Sequence, residues 1–325
     1  MGIIGHQKKL SYLQNFLNRG FLFPAFLFEG PEKIGKRTIA KEFIRGMQCE
    51  KTILGGCGSC PACINANAGH DTMVIDDVLA ARCQTKELSY DPYGIEGVGH
   101  LMAFAHTTPL RAQYKIILID NAHRLSFEAQ NKLLKILEEP PSYCIFIFVS
   151  HKPESLIRTI RSRCLVVQFG LVPRNHILEY LDSKQSKNTA PGRLAQYGMG
   201  RPGHIMELCA DPVRVTAFRN EAMAILKFQN TPFPERLTLV PKQEKESTPA
   251  PFPLLDLFQI TLRDMLLYAH GAGEYAILLS RKQPVCNVKE KHVALRESLR
   301  LNDVIDGAVS PTAITRCFEY LALKL

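Results

Sequence analysis

No stretch of apolar residues in the 325-residue sequence is long enough to form a membrane-spanning helix. Such a helix needs about 18 or more consecutive apolar residues, whereas the longest runs, FLFPAFLF and CIFIFV, have the length of strands. The amino-terminal segment MGIIGHQKKL also lacks the basic and then apolar pattern of a secretion signal. The sequence therefore predicts a cytoplasmic protein without a membrane partner.

A cytoplasmic location excludes disulfide bonds as the main role of the ten cysteines. Six of them are scattered among apolar neighbours and are expected to be buried, inert thiols: Cys83, Cys144, Cys164, Cys209, Cys286 and Cys317. The sequence also lacks an internal repeat. Its net charge of +9 and pI of about 9.0 favour a polyanionic partner such as nucleic acid, although charge alone is weak support.

The first half of the chain alternates strand patterns with helix patterns. Five short apolar runs suit strands buried on both faces: FPAFLFEG, TMVID, YKIILID, CIFIFVS and LVVQF. Helix patterns lie between them, including SFEAQNKLLKILEEPP, which has Ser126 as a candidate N-cap, and PESLIRTIR. This alternation predicts a three-layer α/β domain with a parallel sheet over residues 1–169.

After residue 169 the strand patterns stop and helix patterns remain. Residues 170–212 indicate a small helical unit, and residues 213–325 indicate a second helical domain. The second domain contains a proline-rich insert at 229–253, which we expect to be an exposed linker.

The segment FLFEGPEKIGKRT runs from a predicted strand into a predicted helix. Gly30, Gly35 and Lys36 match the phosphate-binding loop G-x-x-x-x-G-K, whose backbone N–H groups cradle phosphates. The next position should carry the Ser or Thr hydroxyl that holds Mg²⁺, but it carries Arg37. Thr38 lies one step along, about 100° further around the helix, and is a poor substitute. The loop therefore predicts a degenerate nucleotide site where binding of ATP and Mg²⁺ is doubtful.

The acidic strand end that completes an ATPase site also departs from the pattern of an active enzyme. The segment YKIILIDNAH supplies an apolar strand and Asp120, the acidic residue that the nucleotide site would use for its metal. An active hydrolase of this class usually continues with a glutamate that activates water. Asn121 stands there, and a neutral amide does not accept the proton. We expect no ATP hydrolysis by this chain.

Four cysteines form a cluster in residues 49–70, directly after the predicted loop helix. Cys49, Cys57, Cys60 and Cys63 have the spacing C-x7-C-x2-C-x2-C and supply the number of thiolates used by a closed tetrahedral zinc site. His70 is an alternative to Cys49 as the fourth ligand. An iron–sulfur cluster and a chance group of free thiols are the competing interpretations. We predict a structural zinc module.

A phosphate loop followed by an inserted cysteine cluster resembles the bacterial clamp-loader ATPase family. These AAA+ proteins include the gamma/tau and delta-prime subunits of DNA polymerase III. The segments IIGHQKKLSYLQNFLNRG, LLKILEEPPSYCIFIFVS and IRSRC are similar to the delta-prime branch, densely over residues 3–169 and faintly beyond 210. The resemblance implies an AAA+ domain, a helical lid and a helical collar. It also implies a hetero-pentameric ring with gamma/tau and delta subunits, which acts on a sliding clamp and primed DNA.

The resemblance also implies roles for particular residues. Arg163, in the motif Ser-Arg-Cys, would be an arginine finger that reaches the ATP phosphates of a neighbouring subunit, whereas an ordinary surface arginine is the alternative. In the segment GMGRPGH, Gly203 stands where active relatives place an ATP-sensing arginine, and Arg201 falls two residues earlier. A sensing role for Arg201 is therefore not expected.

Three functional hypotheses follow from these features. The leading one is a clamp-loader subunit that does not hydrolyse ATP, part of a DNA-directed DNA polymerase holoenzyme (a nucleotidyltransferase complex) but itself without ATPase or polymerase activity. The second is an active clamp-loader ATPase of the gamma/tau type. The third is a stand-alone zinc-dependent nucleic-acid binder, which would bind DNA as a monomer with a steep salt dependence.

Overall fold

The computed structural model describes residues 2–20, 23–64, 70–84, 90–183, 198–210, 220, 224–225, 227 and 254–272. The chain divides into two compact units, residues 1–185 with 200–203 and residues 186–199 with 204–325. The predicted domain limits at 169 and 212 stay predictions. The insert at 229–253 and most of the predicted helical domain at 213–325 lie outside the described residues.

The first unit contains a five-stranded sheet in the order β2-β3-β4-β1-β5, with every neighbouring pair parallel. Each strand falls within one of the five apolar runs, so the predicted α/β fold with a parallel sheet is confirmed. The strands are β1 Ala25–Glu29, β2 Thr72–Ile75, β3 Lys115–Ile119, β4 Cys144–Ser150 and β5 Leu165–Gln168. Because all strands are parallel, their carboxyl ends meet at one edge of the sheet.

Eight of the described helices lie wholly within the first unit, and two more helices with defined bounds follow, the first of which begins in that unit. They are α1 Gln7–Arg19, α2 Lys36–Gln48, α3 Pro61–Ile64, α4 Asp77–Gln84, α5 Ile95–Ala105, α6 Phe127–Glu138, α7 Arg158–Arg163, α8 Arg174–Ser183, α9 Pro202–Ala210 and α10 Leu254–Ala269. Two 3₁₀ turns, Ala122–Arg124 and Pro153–Ser155, complete the described elements. None of the described helices is both long and apolar enough to cross a membrane.

Helices cover both faces of the sheet, as a three-layer domain requires. Along β1 the side chains alternate, so that Phe26 packs with Phe43 of α2 and Leu13 of α1, whereas Leu27 packs on the opposite face with Leu101 of α5 and Leu133 of α6. This period of two places alternate apolar residues of a strand in two different cores. The sheet is thereby buried on both sides, which explains why its strands are continuous apolar runs.

One predicted helix is shorter than the sequence pattern indicated. The pattern PESLIRTIR predicts a continuous helix that ends before Ser162, but the structure has a 3₁₀ turn at Pro153–Ser155 and then α7, which includes Arg163 in its last turn. The buried amide of Gln130 explains the break, because its oxygen accepts from the N–H of Ile157 at 2.8 Å and its nitrogen donates to the carbonyl of Ser155 at 3.1 Å. These backbone groups would otherwise pair within a continuous helix.

Helix α6 begins where the sequence predicts. The Ser126 hydroxyl accepts a hydrogen bond from the N–H of Ala129 at 3.2 Å, the contact expected of an N-cap. The helix ends at Glu138, just before two prolines.

Candidate functional site

The predicted nucleotide loop connects the end of β1 to the start of α2. Gly30 and Gly35 both have positive φ, 136° and 98°, which favours glycine. At Gly30 the space is also closed, because a Cβ would lie 2.1 Å from the carbonyl oxygen of Phe169. The two glycines therefore hold a sharp turn from strand to helix at the carboxyl edge of the sheet.

Lys36, the first residue of α2, fills the inside of this loop. Its side chain is 6% exposed, and its Nζ donates to the carbonyl oxygens of Gly30 at 2.7 Å and Pro31 at 2.6 Å. Burial lowers the pKa of Lys36 to about 8, with Arg201 adding to the decrease, whereas Asp120 and Glu32 oppose it. The ammonium group is thus already held by the loop that it would use to bind phosphate.

Arg37 lies against two carboxylates at the same edge of the sheet. Its Nη2 donates to Oδ2 of Asp76, which follows β2, and its Nε lies 3.4 Å from Oδ2 of Asp120, which follows β3. The second contact is an ion pair without hydrogen-bond geometry. Burial raises the pKa of Asp120, and the nearby Arg37 guanidinium counteracts part of that increase.

The position of Arg37 determines what the two aspartates can bind. Paired carboxylates at the ends of adjacent parallel strands are typical ligands for Mg²⁺. In this structure the guanidinium already pairs with both carboxylates and offsets part of their charge, and a metal ion at the same place would meet its positive charge. Thr38, the other candidate for the metal, follows in the first turn of α2 and is half-buried.

Asn121 lies in the turn after β3 and is held there by a neighbouring aspartate. It has a positive φ of 50°, and its side-chain nitrogen donates to Oδ2 of Asp77 at 3.0 Å. Arg124 donates to the other oxygen of Asp77 at 2.6 Å. The Tyr93 hydroxyl fixes the same turn by donating to the carbonyl of Asp120 at 3.0 Å.

Sequence reasoning missed Asp76, Asp77 and Arg124 as parts of this site. A signal for the aspartates was present, because both follow directly on the strand TMVI, whose carboxyl end lies beside that of β3. Arg124 had no comparable signal, since its place depends on the 3₁₀ turn after Asn121.

Gly203 packs directly on the nucleotide loop. Its N–H donates to the carbonyl of Lys33 at 2.8 Å, and a Cβ would lie 2.8 Å from that oxygen. A side chain at position 203 therefore requires the loop to shift. Arg201 is close enough to lower the pKa of Lys36, so it contributes positive charge to the site.

The four predicted zinc ligands come together. The Sγ atoms of Cys49, Cys57, Cys60 and Cys63 all lie within 4.8 Å of one another, and Cys57 and Cys63 are 4.0 Å apart. Four sulfurs at ~2.3 Å from one zinc ion lie about 3.8 Å apart in a tetrahedron, so the group fits a single ion. His70 is exposed and is not a member of this group, which leaves Cys49 as the fourth candidate ligand.

Hydrogen-bond donors around the cluster favour the thiolate form of Cys57, whereas burial raises the pKa of the Cys63 thiol to about 12. The N–H groups of Cys57, Cys60 and Cys63 donate to sulfurs at 3.3, 3.3 and 3.4 Å. The hydroxyl of Ser59 donates to Cys57 and, with the backbone donors, lowers the pKa of the Cys57 thiol to about 5. Gly56 has a φ of 78° and leaves room for the Cys63 sulfur, because a Cβ at position 56 would lie 2.8 Å from Sγ of Cys63.

The nucleotide loop and the cysteine cluster lie at opposite ends of α2. This helix has 13 residues, which corresponds to a length of about 20 Å. The cysteine cluster is therefore too far from the loop to contact a phosphate there.

Arg163 lies at the surface, in the last turn of α7. Its Nη2 donates to Oε1 of Glu138, the last residue of α6, at 2.8 Å, and its Nη1 donates to the carbonyl of Thr159 at 3.0 Å. The two charged side chains are 35% and 53% exposed. The structure thus pairs the predicted finger with a carboxylate of its own chain.

Comparisons with known proteins agree over the first half of the chain. A family model described as DNA polymerase III, delta subunit, matches residues 5–172. DNA polymerase III subunit tau of Salmonella typhimurium is 34% identical over 170 residues, which are 52% of this chain and 25% of that protein. Subunit tau of Bacillus subtilis is 33% identical over 177 residues, 54% of this chain and 30% of that protein. The chain thus spans about a quarter to a third of the length of these relatives.

Two solved structures align along most of the chain. A DNA polymerase III gamma subunit-related protein from Thermotoga maritima aligns with a TM-score of 0.47 and 12% identity, covering 97% of this chain and 99% of that one. The Bacillus subtilis DNA clamp loader delta protein aligns with a TM-score of 0.36 and 13% identity, covering 97% and 100%.

Proposed function

The chain belongs to the DNA polymerase III, delta subunit, family, and on that premise we propose that it is a clamp-loader subunit of the delta-prime type. In this role it does not hydrolyse ATP itself. It completes a five-membered ring with gamma/tau and delta subunits, which loads a sliding clamp onto primed DNA. Residues 1–169 form its AAA+ domain, 170–212 a lid, and 213–325 the collar that joins the ring.

The pairing of Arg37 with Asp76 and Asp120 is the observation that carries this proposal. ATP hydrolysis in P-loop proteins relies on Mg²⁺ to bridge and neutralise the phosphates. Here a fixed guanidinium pairs with the carboxylates that would attract the ion. Asn121 is a second difference from an active ATPase, because its amide donates to Asp77 and provides no carboxylate that could activate water.

We assign the chain a role in its neighbour's chemistry through Arg163. The side chain is accessible at the end of a surface helix, and guanidinium suits phosphate because its planar fork donates two parallel hydrogen bonds. Arginine fingers supplied in trans raise the kcat of phosphoryl transfer by ~10³–10⁵-fold. The cysteine cluster takes a different part in this proposal: it holds a structural zinc ion through four thiolates and leaves no open coordination position.

One observation favours the second hypothesis, an active ATPase of the gamma/tau type. The relatives reported above are named tau, at 33–34% identity over half of this chain. An assay of Mg²⁺-dependent ATP turnover by the purified chain separates the two functions. We expect no turnover above background, and weak activity in the double variant Arg37→Thr, Asn121→Glu. Turnover by the unmodified chain would overturn the proposal.

A second experiment tests the finger. We expect Arg163→Ala to leave the chain folded and able to assemble but to lower the ATP turnover of the complex by the share of the one site that this chain completes. Arg163→Lys should rescue poorly, since an ammonium group keeps the charge without the fork. Unchanged turnover in a fully assembled complex would mean that Arg163 is an ordinary surface charge.

A further inference from the structure

We propose that Glu138 holds the Arg163 guanidinium within this chain and releases it when the neighbouring subunit presents a phosphate group. Glu138 is thus a residue that regulates the finger through a competing contact. This inference rests on the proposed role of Arg163 as a finger. The inference names Glu138 as the group that competes with the phosphate for Arg163, and it predicts that removing the Glu138 charge makes Arg163 more available.

The contacts of Arg163 show what must change before it can reach outward. One N–H on each terminal nitrogen is already used, by Oε1 of Glu138 and by the carbonyl of Thr159. These two nitrogens form the fork that a guanidinium offers to a phosphate. The bond to Thr159 also folds the side chain back over its own helix. The guanidinium must therefore give up its internal contacts to bind in trans.

Exposure limits how strongly Glu138 can hold the guanidinium. Both side chains are more than one-third exposed, at 35% for Arg163 and 53% for Glu138. Exposed ion pairs shift an equilibrium by ~1.4-fold to ~5-fold, the equivalent of ~0.2–1 kcal/mol. A phosphate carries more negative charge than a carboxylate and accepts the whole fork, so it displaces Glu138 easily. The contact is a weak hold on the finger that a bound nucleotide can break.

The sequence supplies a matched control one residue away. Glu139 is also exposed, carries the same charge and lies just past the end of α6, where the backbone has left the helix. Glu138→Gln and Glu139→Gln remove the same charge at almost the same place, but only the first turns the carboxylate that pairs with Arg163 into a neutral amide. Neither change threatens folding, because a negative charge at a helix carboxyl terminus is unfavourable.

The first measurement uses the isolated full-length chain. Phenylglyoxal modifies deprotonated guanidine groups, and mass spectrometry gives the rate of modification at Arg163. We expect Glu138→Gln to raise this rate between ~1.4-fold and ~5-fold and Glu139→Gln to leave it unchanged. An equal rate in both variants would overturn the proposal, because Glu138 would then not hold the guanidinium.

The second measurement uses the assembled complex and reports kcat/KM for ATP turnover. Since kcat/KM includes the cost of releasing the finger, we expect Glu138→Gln to raise it by no more than ~5-fold at the site this chain completes. A fall in kcat/KM would overturn the proposal, because Glu138 would then position the finger. If Arg163→Ala leaves turnover unchanged while Glu138→Gln still raises the modification rate, the proposed finger function fails and the internal contact stands.

Discussion

Replacing Arg37 with threonine should turn an internal ion pair into a cation-dependent site. The substitution removes the guanidinium between Asp76 and Asp120, whose side chains are 12% and 8% exposed. Removing one partner of a buried pair costs ~3–5 kcal/mol, but the Arg37 side chain is 35% exposed, so solvent screens part of this. We expect a loss of about 2 kcal/mol in the free energy of unfolding of the first unit, a decrease in Tm of about 4–8 °C.

The same change should make stability depend on Mg²⁺. Two carboxylates without a counterion attract a divalent cation, and threonine supplies the hydroxyl that a phosphate loop normally offers there. With a Kd of ~1 mM, 10 mM Mg²⁺ would restore about 1.4 kcal/mol. Wild type should gain far less, because its guanidinium occupies the position. Thermal unfolding with and without Mg²⁺, in buffer free of chelators so that any zinc is retained, measures both effects.

Lys41→Thr is the matched control for this experiment. Lys41 is exposed on the same helix, so its loss removes one positive charge without opening the aspartate pair. Exposed substitutions of this kind usually change stability by less than ~0.5 kcal/mol. If Arg37→Thr is as stable as Lys41→Thr, or if Mg²⁺ stabilises wild type and variant equally, the guanidinium does not substitute for a metal and the reasoning fails.

Three further predictions concern other parts of the first unit. Cys60→Ser should lower bound zinc from one equivalent to well below half, while circular dichroism shows that the α/β sheet persists. Asp71→Asn should lower the free energy of unfolding, measured by chemical denaturation, by about 2 kcal/mol. The reason is that the Asp71 carboxylate accepts hydrogen bonds from the N–H groups of Leu110, Arg111 and Ala112 at 2.8–2.9 Å. Ser59→Ala should lower this free energy far less. Burial and the nearby His151 lower the pKa of His123 to about 4, so the unfolded chain binds a proton at this residue between pH 7 and 5 while the folded chain does not. The free energy of unfolding should therefore fall by about 1–2 kcal/mol over this pH range. His123→Gln should show a smaller fall when unfolding is measured against pH, and an equal fall would contradict this prediction.

The fold was predictable because its signals are local. Each strand lies within an apolar run, and the start of α6 depends on Ser126 and a residue three positions away. The same holds for the cysteine cluster, whose four ligands lie within 15 residues of sequence. Short-range patterns of this kind are fixed by backbone geometry and residue chemistry, so they can be read before any tertiary contact is known.

The errors and omissions arise from contacts between distant residues. The helix before Arg163 is shorter than predicted because Gln130, more than 20 positions earlier, takes its backbone groups. The partner of Arg37 is Asp76, 39 positions away, and the partner of Arg163 is Glu138, 25 positions away. An exposed arginine has many possible partners, and sequence alone does not select one. The partners of Arg37 and Arg163 could therefore be assigned only from the structure.

The contacts of the phosphate loop give a structural reason for its persistence in a chain that we propose does not hydrolyse ATP. Gly30 is required because a Cβ there would clash with the carbonyl of Phe169, which follows β5. Lys36 donates to two carbonyls of the partly buried loop, and losing it would remove both hydrogen bonds, each worth ~0.5–1.5 kcal/mol. The glycines and the lysine therefore stabilise the turn from strand to helix whether or not phosphate binds. Among the described contacts, Arg37 pairs with the two aspartates rather than with the loop carbonyls, so the turn does not depend on this side chain. A motif of this kind indicates hydrolysis only when its metal-binding position is intact as well.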